Sequence, residues 1–125
     1  MTDYAAVAER LVNAYNAKDF AALAAMITPN LDFAHFNRDF VFSERAGLIA
    51  VLRHFATEFL PDRRFLPPER VTVCGPIVIR EGYYTGTARV DVPGFAPVGG
   101  TVMLKFCSVF RFDANGILVE WKDYG

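Results

Sequence analysis

The sequence predicts an α+β fold, with helices in the first half of the chain and an antiparallel sheet in the second half. Apolar residues recur at helical spacing up to about residue 60, and from Val71 onward they alternate with polar residues as in strands. Asn115 and Gly116 separate two alternating segments, which is a strong signal for a hairpin. A length of 125 residues fits one domain, which we take to span residues 1–125.

Three helices are predicted in the first half. The first covers residues 3–16, where Val7, Leu11 and Tyr15 share one stripe, and the second is short and ends before Pro29. Ser43 is a suitable N-cap for a third helix that runs to about Leu60.

Alternation then predicts the strands. They cover residues 31–37, 71–73, 77–92, 101–112 and 117–124, and a glycine- and proline-rich loop covers residues 93–100. In the last strand Ile117, Val119, Trp121 and Asp123 are expected on one face. A carboxylate among apolar side chains is costly to ionise, so Asp123 is a candidate for chemistry.

Composition and charge narrow the class of protein. The chain is 53% hydrophobic with 12 phenylalanines, which could fill a core, line an apolar cavity or form a subunit interface. A net charge of −1 with interspersed signs predicts neither nucleic-acid binding nor membrane binding. The N-terminal residues lack the pattern of a signal peptide, so a cytoplasmic protein is expected, with Cys74 and Cys107 as buried free thiols.

The order of elements and several segments resemble the nuclear transport factor 2-like superfamily, in particular SnoaL-type polyketide cyclases and limonene epoxide hydrolases. The resemblance is carried by Phe59-Leu-Pro-Asp62, by Gly86-Thr87 through Pro97-Val-Gly99, and by residues 109–124 with their Trp121-Lys-Asp123 ending. It implies three N-terminal helices packed on a strongly curved, mixed but mainly antiparallel sheet, with a cone-shaped pocket between them.

The resemblance to the epoxide hydrolases implies a catalytic set of Arg89, Asp91 and Asp123. In such a set Asp123 activates water, Asp91 donates a proton to the epoxide oxygen, and Arg89 bridges the two acids. An Arg-x-Asp sequence is also common in solvated cross-strand pairs. The periodicity of residues 77–92 leaves open which face Arg89 and Asp91 occupy, because both faces look apolar.

The resemblance also places His35 in the pocket, on the first strand. His35 could be a proton-transferring base, a second ligand of the attacking water, or a pocket-wall histidine without a catalytic role. Where the epoxide hydrolases carry a tyrosine two residues before this position, the chain has Phe33. Tyr15, Phe33, Phe55, Phe106 and Trp121 are the predicted substrate-binding residues.

The sequence therefore predicts a small-molecule enzyme that uses acid–base chemistry in an apolar pocket. The narrow form is an epoxide hydrolase that needs no cofactor and no metal. The alternatives are an isomerase or cyclase of polyketide- or steroid-like carbonyl compounds, or a non-catalytic module for ligand binding or dimerisation. A homodimer is expected, because Met103, Cys107, Val109 and Leu118 are assigned to the outer face of the last hairpin.

Overall fold

The computed structural model describes residues 2–93 and 96–125, which form an α+β structure. The helices are α1 (Tyr4–Asn16), α2 (Phe20–Ala25) and α3 (Arg45–His54). The strands are β1 (Ile27–His35), β2 (Phe40–Phe42), β3 (Arg64–Phe65), β4 (Arg70–Cys74), β5 (Ile77–Thr87), β6 (Thr101–Phe112) and β7 (Leu118–Tyr124). The predicted fold class is confirmed, although β2 and β3 were not predicted.

The seven strands within the described residues form one mixed sheet that does not close. Its order is β2-β1-β7-β6-β5-β3, and β4 pairs with β5 beside this path. β1 and β7 are parallel, and the other described pairs are antiparallel. Because β1 pairs with β7, the first and last strands of the chain lie side by side in the middle of the sheet.

The helices begin at side chains that bind free backbone N–H groups. The carboxylate of Asp3 accepts from Ala6 N at the start of α1, and that of Asp19 accepts from Ala22 N at the start of α2, each at 3.1 Å. The predicted cap of α3 is wrong. This helix starts after Glu44, whose side chain makes no capping hydrogen bond, and Ser43 lies one residue before it.

α3 continues into a π-helical turn, Phe55–Phe59, so the helical segment ends close to the predicted Leu60. Wider turns of this kind often occur at functional sites, because they change which side chains point to one face. α1 and α3 pack on the buried face of the sheet, where Leu11 and Leu48 join Phe110 in the core.

The strand predicted for residues 77–92 is shorter than expected. β5 ends at Thr87, and all its residues pair with β6 without a register shift, so no bulge exchanges its faces. The even-numbered residues from Val78 to Gly86 are buried and form the inner face of β5. Ile77 and Ile79 lie on its outer face. Beyond β5, Val92 pairs with Ala96, while Gly94 and Phe95 of the predicted loop lie outside the described residues.

The hairpin predicted at Asn115-Gly116 is present, but Asp113 organises it. The Asp113 carbonyl accepts from Gly116 N, and its carboxylate accepts from Asn115 N and Ile117 N. Of the two turn residues only Gly116 has a positive φ, of 78°. Ile117 therefore belongs to the turn and not to β7.

A bulge in β7 changes which residues face inward. Phe112 pairs with Leu118, and Arg111 pairs with Glu120. Val119, between the two paired residues of β7, is therefore the extra residue of the bulge. The prediction that Trp121 and Asp123 share a buried face is confirmed, but Val119 is only half-buried. Leu118, predicted on the outer face, is fully buried because the bulge turns it into the core.

The two cysteines are free thiols, as predicted, but neither is buried. Cys74 is exposed because it ends β4, a strand whose residues are all exposed. Cys107 is half-buried on the outer face of β6.

Candidate active site

A cavity of about 70 Å³ lies between α1, α3 and the buried face of the sheet. Half of the chain's phenylalanines line it, namely Phe33, Phe40, Phe42, Phe55, Phe65 and Phe106. The ionisable side chains in its wall are Tyr15, His35, Tyr84 and Asp123. From the sequence, the phenylalanines could fill a core, line an apolar cavity or form a subunit interface. The structure contains the apolar cavity.

Asp123 is the buried acid of this cavity, with 4% of its surface exposed. Ser108 Oγ on β6 donates to Asp123 Oδ1 at 2.6 Å, and Trp121 Nε1 donates to the same oxygen at 2.7 Å. Burial raises the pKa of Asp123 to about 7, and the bonds from Ser108 and Trp121 lower it only in part. The carboxyl group therefore changes its ionisation state in the neutral pH range.

The two carboxyl oxygens of Asp123 differ in their hydrogen-bond partners. Both described donors bind Oδ1, and within the described residues no hydrogen bond reaches Oδ2. Because the Asp123 side chain lines the cavity, Oδ2 is available to a molecule bound there. Such an oxygen can accept or donate a proton, depending on its ionisation state.

His35 is the neighbour of Asp123 in the sheet, because the parallel strands β1 and β7 pair these two residues. Its Nε2 lies 3.3 Å from the carbonyl oxygen of Gly125. Since a carbonyl can only accept, Nε2 carries the proton and Nδ1 is unprotonated in the neutral ring. Burial lowers the pKa of His35, the Gly125 carbonyl partly offsets this, and nearby Arg38 lowers it further. The ring is therefore neutral at pH 7.

Two tyrosine hydroxyls meet in the wall of the cavity. Tyr15 on α1 and Tyr84 on β5 are both buried, and their hydroxyl oxygens lie 3.1 Å apart. Burial raises the pKa of both groups, that of Tyr84 the more strongly, so both stay protonated. One of the two protons forms the bond between them, which leaves the other for an acceptor in the cavity.

Arg89 and Asp91 do not reach this cavity, which corrects the predicted catalytic set. Both follow β5 and are exposed. Arg89 Nη1 donates to the carbonyl of Thr57 at 3.3 Å, and the Asp91 carboxylate accepts from Val98 N at 2.8 Å. The physical reason is that β5 ends at Thr87, so the segment that carries Arg89 and Asp91 has already left the strand that lines the cavity.

A family model described as a SnoaL-like domain matches residues 8–121, which is most of the chain. This protein belongs to the SnoaL-like domain family. The family lies in the nuclear transport factor 2-like superfamily, so the predicted resemblance is confirmed. No curated protein matches this SnoaL-like sequence.

Solved structures share the fold of this SnoaL-like protein at low sequence identity. A proposed polyketide cyclase from Xanthomonas campestris pv. campestris superposes with a TM-score of 0.83 at 18% identity, covering 98% of this chain and 89% of that one. IdmH, a proposed polyketide cyclase from Streptomyces antibioticus, gives 0.80 at 18% identity, with 98% and 91% covered. An epoxide hydrolase from M. tuberculosis, related to the limonene epoxide hydrolases, gives 0.72 at 19% identity, with 94% and 78% covered.

Most of the side chains predicted for the site of this SnoaL-like protein come together in the cavity. They are Asp123 and His35, together with Tyr15, Phe33, Phe55, Phe106 and Trp121. Sequence reasoning missed Ser108 and Tyr84. Ser108 stands alone among phenylalanines on the inner face of β6, which is the same pattern that singled out Asp123. That pattern could have found Ser108 before the structure was known.

Neither a metal site nor a membrane helix is found in the described part of the chain. No group of three or more His, Cys, Asp or Glu side chains among residues 2–93 and 96–125 could hold a metal ion. None of the described helices is long and apolar enough to cross a bilayer.

Proposed function

We propose that this SnoaL-like protein is an enzyme that moves a proton within a small, mostly apolar carbonyl compound, as an isomerase or a cyclase does. The observation that carries the proposal is Asp123, a buried acid with a pKa of about 7 and one carboxyl oxygen open to an apolar cavity. A general base works best when its pKa lies near the working pH. An exposed aspartate, with a pKa near 4, would be a much weaker base.

In the proposed reaction Asp123 Oδ2 takes a proton from the carbon beside the carbonyl group. The C–H bond breaks, its electron pair moves toward the carbonyl, and negative charge develops on the carbonyl oxygen. The free proton of the Tyr15–Tyr84 pair supplies a hydrogen bond to that oxygen. The proton on Asp123 then returns to another carbon. In ring closure the new carbanion instead attacks a second carbonyl carbon, the π electrons of that carbonyl move to its oxygen, and this oxygen takes the proton from Asp123.

His35 has a supporting role in this scheme. Its Nε2 proton is used by the Gly125 carbonyl, so the ring presents an acceptor, Nδ1, and not a cation. A neutral ring beside Asp123 leaves the acid without a countercharge. Its pKa consequently stays raised, as a proton-transferring base requires.

The hydrolase form of the sequence prediction is not proposed. It requires a second acid and an arginine beside Asp123, and Asp91 and Arg89 lie outside the cavity. The epoxide hydrolase from M. tuberculosis shares its backbone fold with this protein, at 19% sequence identity. A shared backbone fold does not determine the reaction.

The cavity volume limits the substrate. An apolar cavity of about 150 Å³ can hold benzene, whereas this one measures about 70 Å³. A larger substrate requires the half-buried rings of Phe40, Phe42 and Phe55 to rotate. We therefore expect a small substrate or one that opens these rings, and Tyr15, Phe33, Phe106 and Trp121 to contact it.

The test is exchange of carbon-bound protons for deuterium. Small cyclic and aryl ketones are incubated with the protein in D₂O, and the loss of their α-proton signals is followed by NMR. We expect catalysed exchange with the wild type and none with Asp123→Asn, which keeps the size and the Oδ1 acceptor. Equal exchange by the two proteins would exclude Asp123 as the base. If both bind the ketones and neither exchanges protons, the cavity serves binding alone.

We also propose that the protein forms a homodimer through the outer face of the sheet. Met103, Cys107, Val109 and Tyr124 lie on this face, and Met103 is 55% exposed. Light scattering of the wild type and of Met103→Lys tests the proposal, because a charge at the centre of such an interface should favour the monomer. The cytoplasmic location stays a prediction from the sequence.

A further inference from the structure

Arg63 is a buried arginine outside the candidate active site. It lies between the π-helical turn and β3, and only 1% of its surface is exposed. Its Nη1 donates to the backbone carbonyl of Tyr15 at 3.0 Å, at the C-terminal end of α1. Its guanidinium carbon lies 3.8 Å from the centre of the Tyr15 ring. The helix end and the ring each favour a cation there.

One edge of this guanidinium has no partner among the described residues. Both Nε and Nη2 of Arg63 are buried and make no hydrogen bond there. In an arginine these two nitrogens point their protons in parallel, at the spacing of two oxygens of a carboxylate or phosphate. Leaving such donors unpaired in the interior is unfavourable, so an unfilled pair calls for an explanation.

A second arginine in the chain shows what the same edge can bind. Arg70 uses its Nε and Nη2 to bind the two carboxylate oxygens of Glu81. Arg70 and Glu81 sit on neighbouring strands and complete the fork without any outside ligand. Arg63 has the same pair of donors, but in the described part of the chain no carboxylate binds them.

Arg63 lines a surface groove of about 480 Å³ that is rich in positive charge. Its charged wall residues are Glu9, Lys18, Asp62, Arg63, Arg64 and Arg80. The two acids are already engaged, since Glu9 binds Arg80 at 2.9 Å and Asp62 accepts from Thr87 N at 2.7 Å. The wall carries four positive and two negative side chains, so its net charge is positive and the groove favours an anion.

We propose that this groove binds a small carboxylate or a phosphate group, which fills the free Nε–Nη2 edge of Arg63. Both classes offer two oxygens at the required spacing, one for each donor, whereas chloride offers a single acceptor to both donors. The site is distinct from the Asp123 cavity, because Arg63 lines the groove and not the cavity. Its ligand differs too, since the cavity is apolar and its one carboxylate repels anions.

Thermal unfolding in different anions tests this site. Sodium phosphate and sodium acetate are each compared with sodium chloride at constant ionic strength. We expect the melting temperature of the wild type to rise by about 5 °C when the anion reaches ten times its dissociation constant. The anion that gives the rise at the lower concentration identifies the class. A wild-type protein that melts at the same temperature in all three salts overturns the proposal.

Variants locate the effect. Arg63→Met should abolish the rise, and Arg63→Lys should reduce it, because a lysine keeps the charge but loses the fork. Arg10→Met is the matched control, since Arg10 is an exposed arginine outside the groove, and it should keep the rise. A rise that persists in Arg63→Met overturns the assignment to this residue.

A second measurement applies if Arg63→Met does not fold. Arginine Nε–H signals of the wild type are followed by ¹⁵N NMR as phosphate or acetate is added. One signal, identified by its absence in Arg63→Lys, should shift in a saturable way. If that signal does not move while the wild type is folded, no anion occupies the edge.

Discussion

Trp121 donates its indole N–H to the carboxylate of Asp123, two residues further along the same strand, at 2.7 Å. Ser108 donates to the same oxygen from the neighbouring strand. Both donors are neutral, and the raised pKa of Asp123 follows from burial that these two bonds only partly offset. A buried acid held by neutral donors has a definite orientation and stays close to its point of ionisation at neutral pH.

The first prediction concerns stability against pH. The pKa of Asp123 is raised from 3.8 to about 7, so the folded state holds this proton more tightly than the unfolded state. The contribution of Asp123 is therefore most favourable at low pH and is lost as the pH rises through about 7. At pH 8 the free energy of unfolding of Asp123→Asn should exceed that of the wild type by on the order of 4 kcal/mol. At pH 4 the two free energies should differ little.

Urea denaturation of both proteins at pH 4, 6 and 8 checks this. Other titrating groups are common to both proteins and cancel in the difference. A difference that is constant across the three pH values would show that Asp123 is not the titrating group.

The second prediction concerns the partner of the acid. Ser108→Ala removes a hydrogen bond that favours the charged carboxylate. The pKa of Asp123 should then rise further, by roughly one unit. The carboxyl carbon signal of Asp123, followed by ¹³C NMR from pH 4 to 10, measures it.

Ser43→Ala is the matched control for that change. Ser43 is exposed, and the helix that it was predicted to cap starts one residue later without a side-chain cap. We expect neither the pKa of Asp123 nor the stability to change, whereas a true N-cap would lose about 1 kcal/mol. An unchanged Asp123 titration in Ser108→Ala would contradict the hydrogen bond from Ser108.

The third prediction separates proton transfer from epoxide hydrolysis. Asp91→Asn and Arg89→Met should leave proton exchange of ketones within about twofold of the wild type, because both side chains are exposed outside the cavity. Asp123→Asn is the identical chemical change at the cavity and should abolish exchange. Loss of activity in Asp91→Asn comparable to that in Asp123→Asn would return the second acid to the mechanism.

The fourth prediction concerns the two tyrosine hydroxyls. Tyr15→Phe, Tyr84→Phe and the double variant form a cycle, and the coupling between the hydroxyls should be about 1 kcal/mol of unfolding free energy. Chemical denaturation measures it. Proton exchange should slow in each single variant, because the remaining hydroxyl group is no longer oriented by a hydrogen bond with the other tyrosine. Additive effects on stability would mean that the two hydroxyls do not interact.

The order of elements and the acid of the last strand could be predicted from the sequence. The helical spacing in α1 and the alternation in β6 are local patterns, and both elements lie where they were expected. Asp123 stood out because a charged residue among apolar neighbours needs no knowledge of distant residues to be noticed.

Arg89 and Asp91 show where sequence reasoning failed. Both faces of the predicted strand contained apolar residues, and local alternation could not tell the buried face from the outer one. The packing of α1 settles this, because Tyr15 contacts Tyr84 and so identifies the even-numbered face of β5 as the inner one. That contact joins residues 69 positions apart, which no local pattern contains.

By itself the sequence determined the fold class, the closing hairpin and the acid near its end, since these follow from spacing between neighbours along the chain. The tertiary structure decided which partners surround that acid, where β5 stops and which edge of Arg63 stays unpaired. These features depend on contacts between distant residues, and burial and hydrogen bonding there set the pKa of Asp123, which the identity of the residue alone does not.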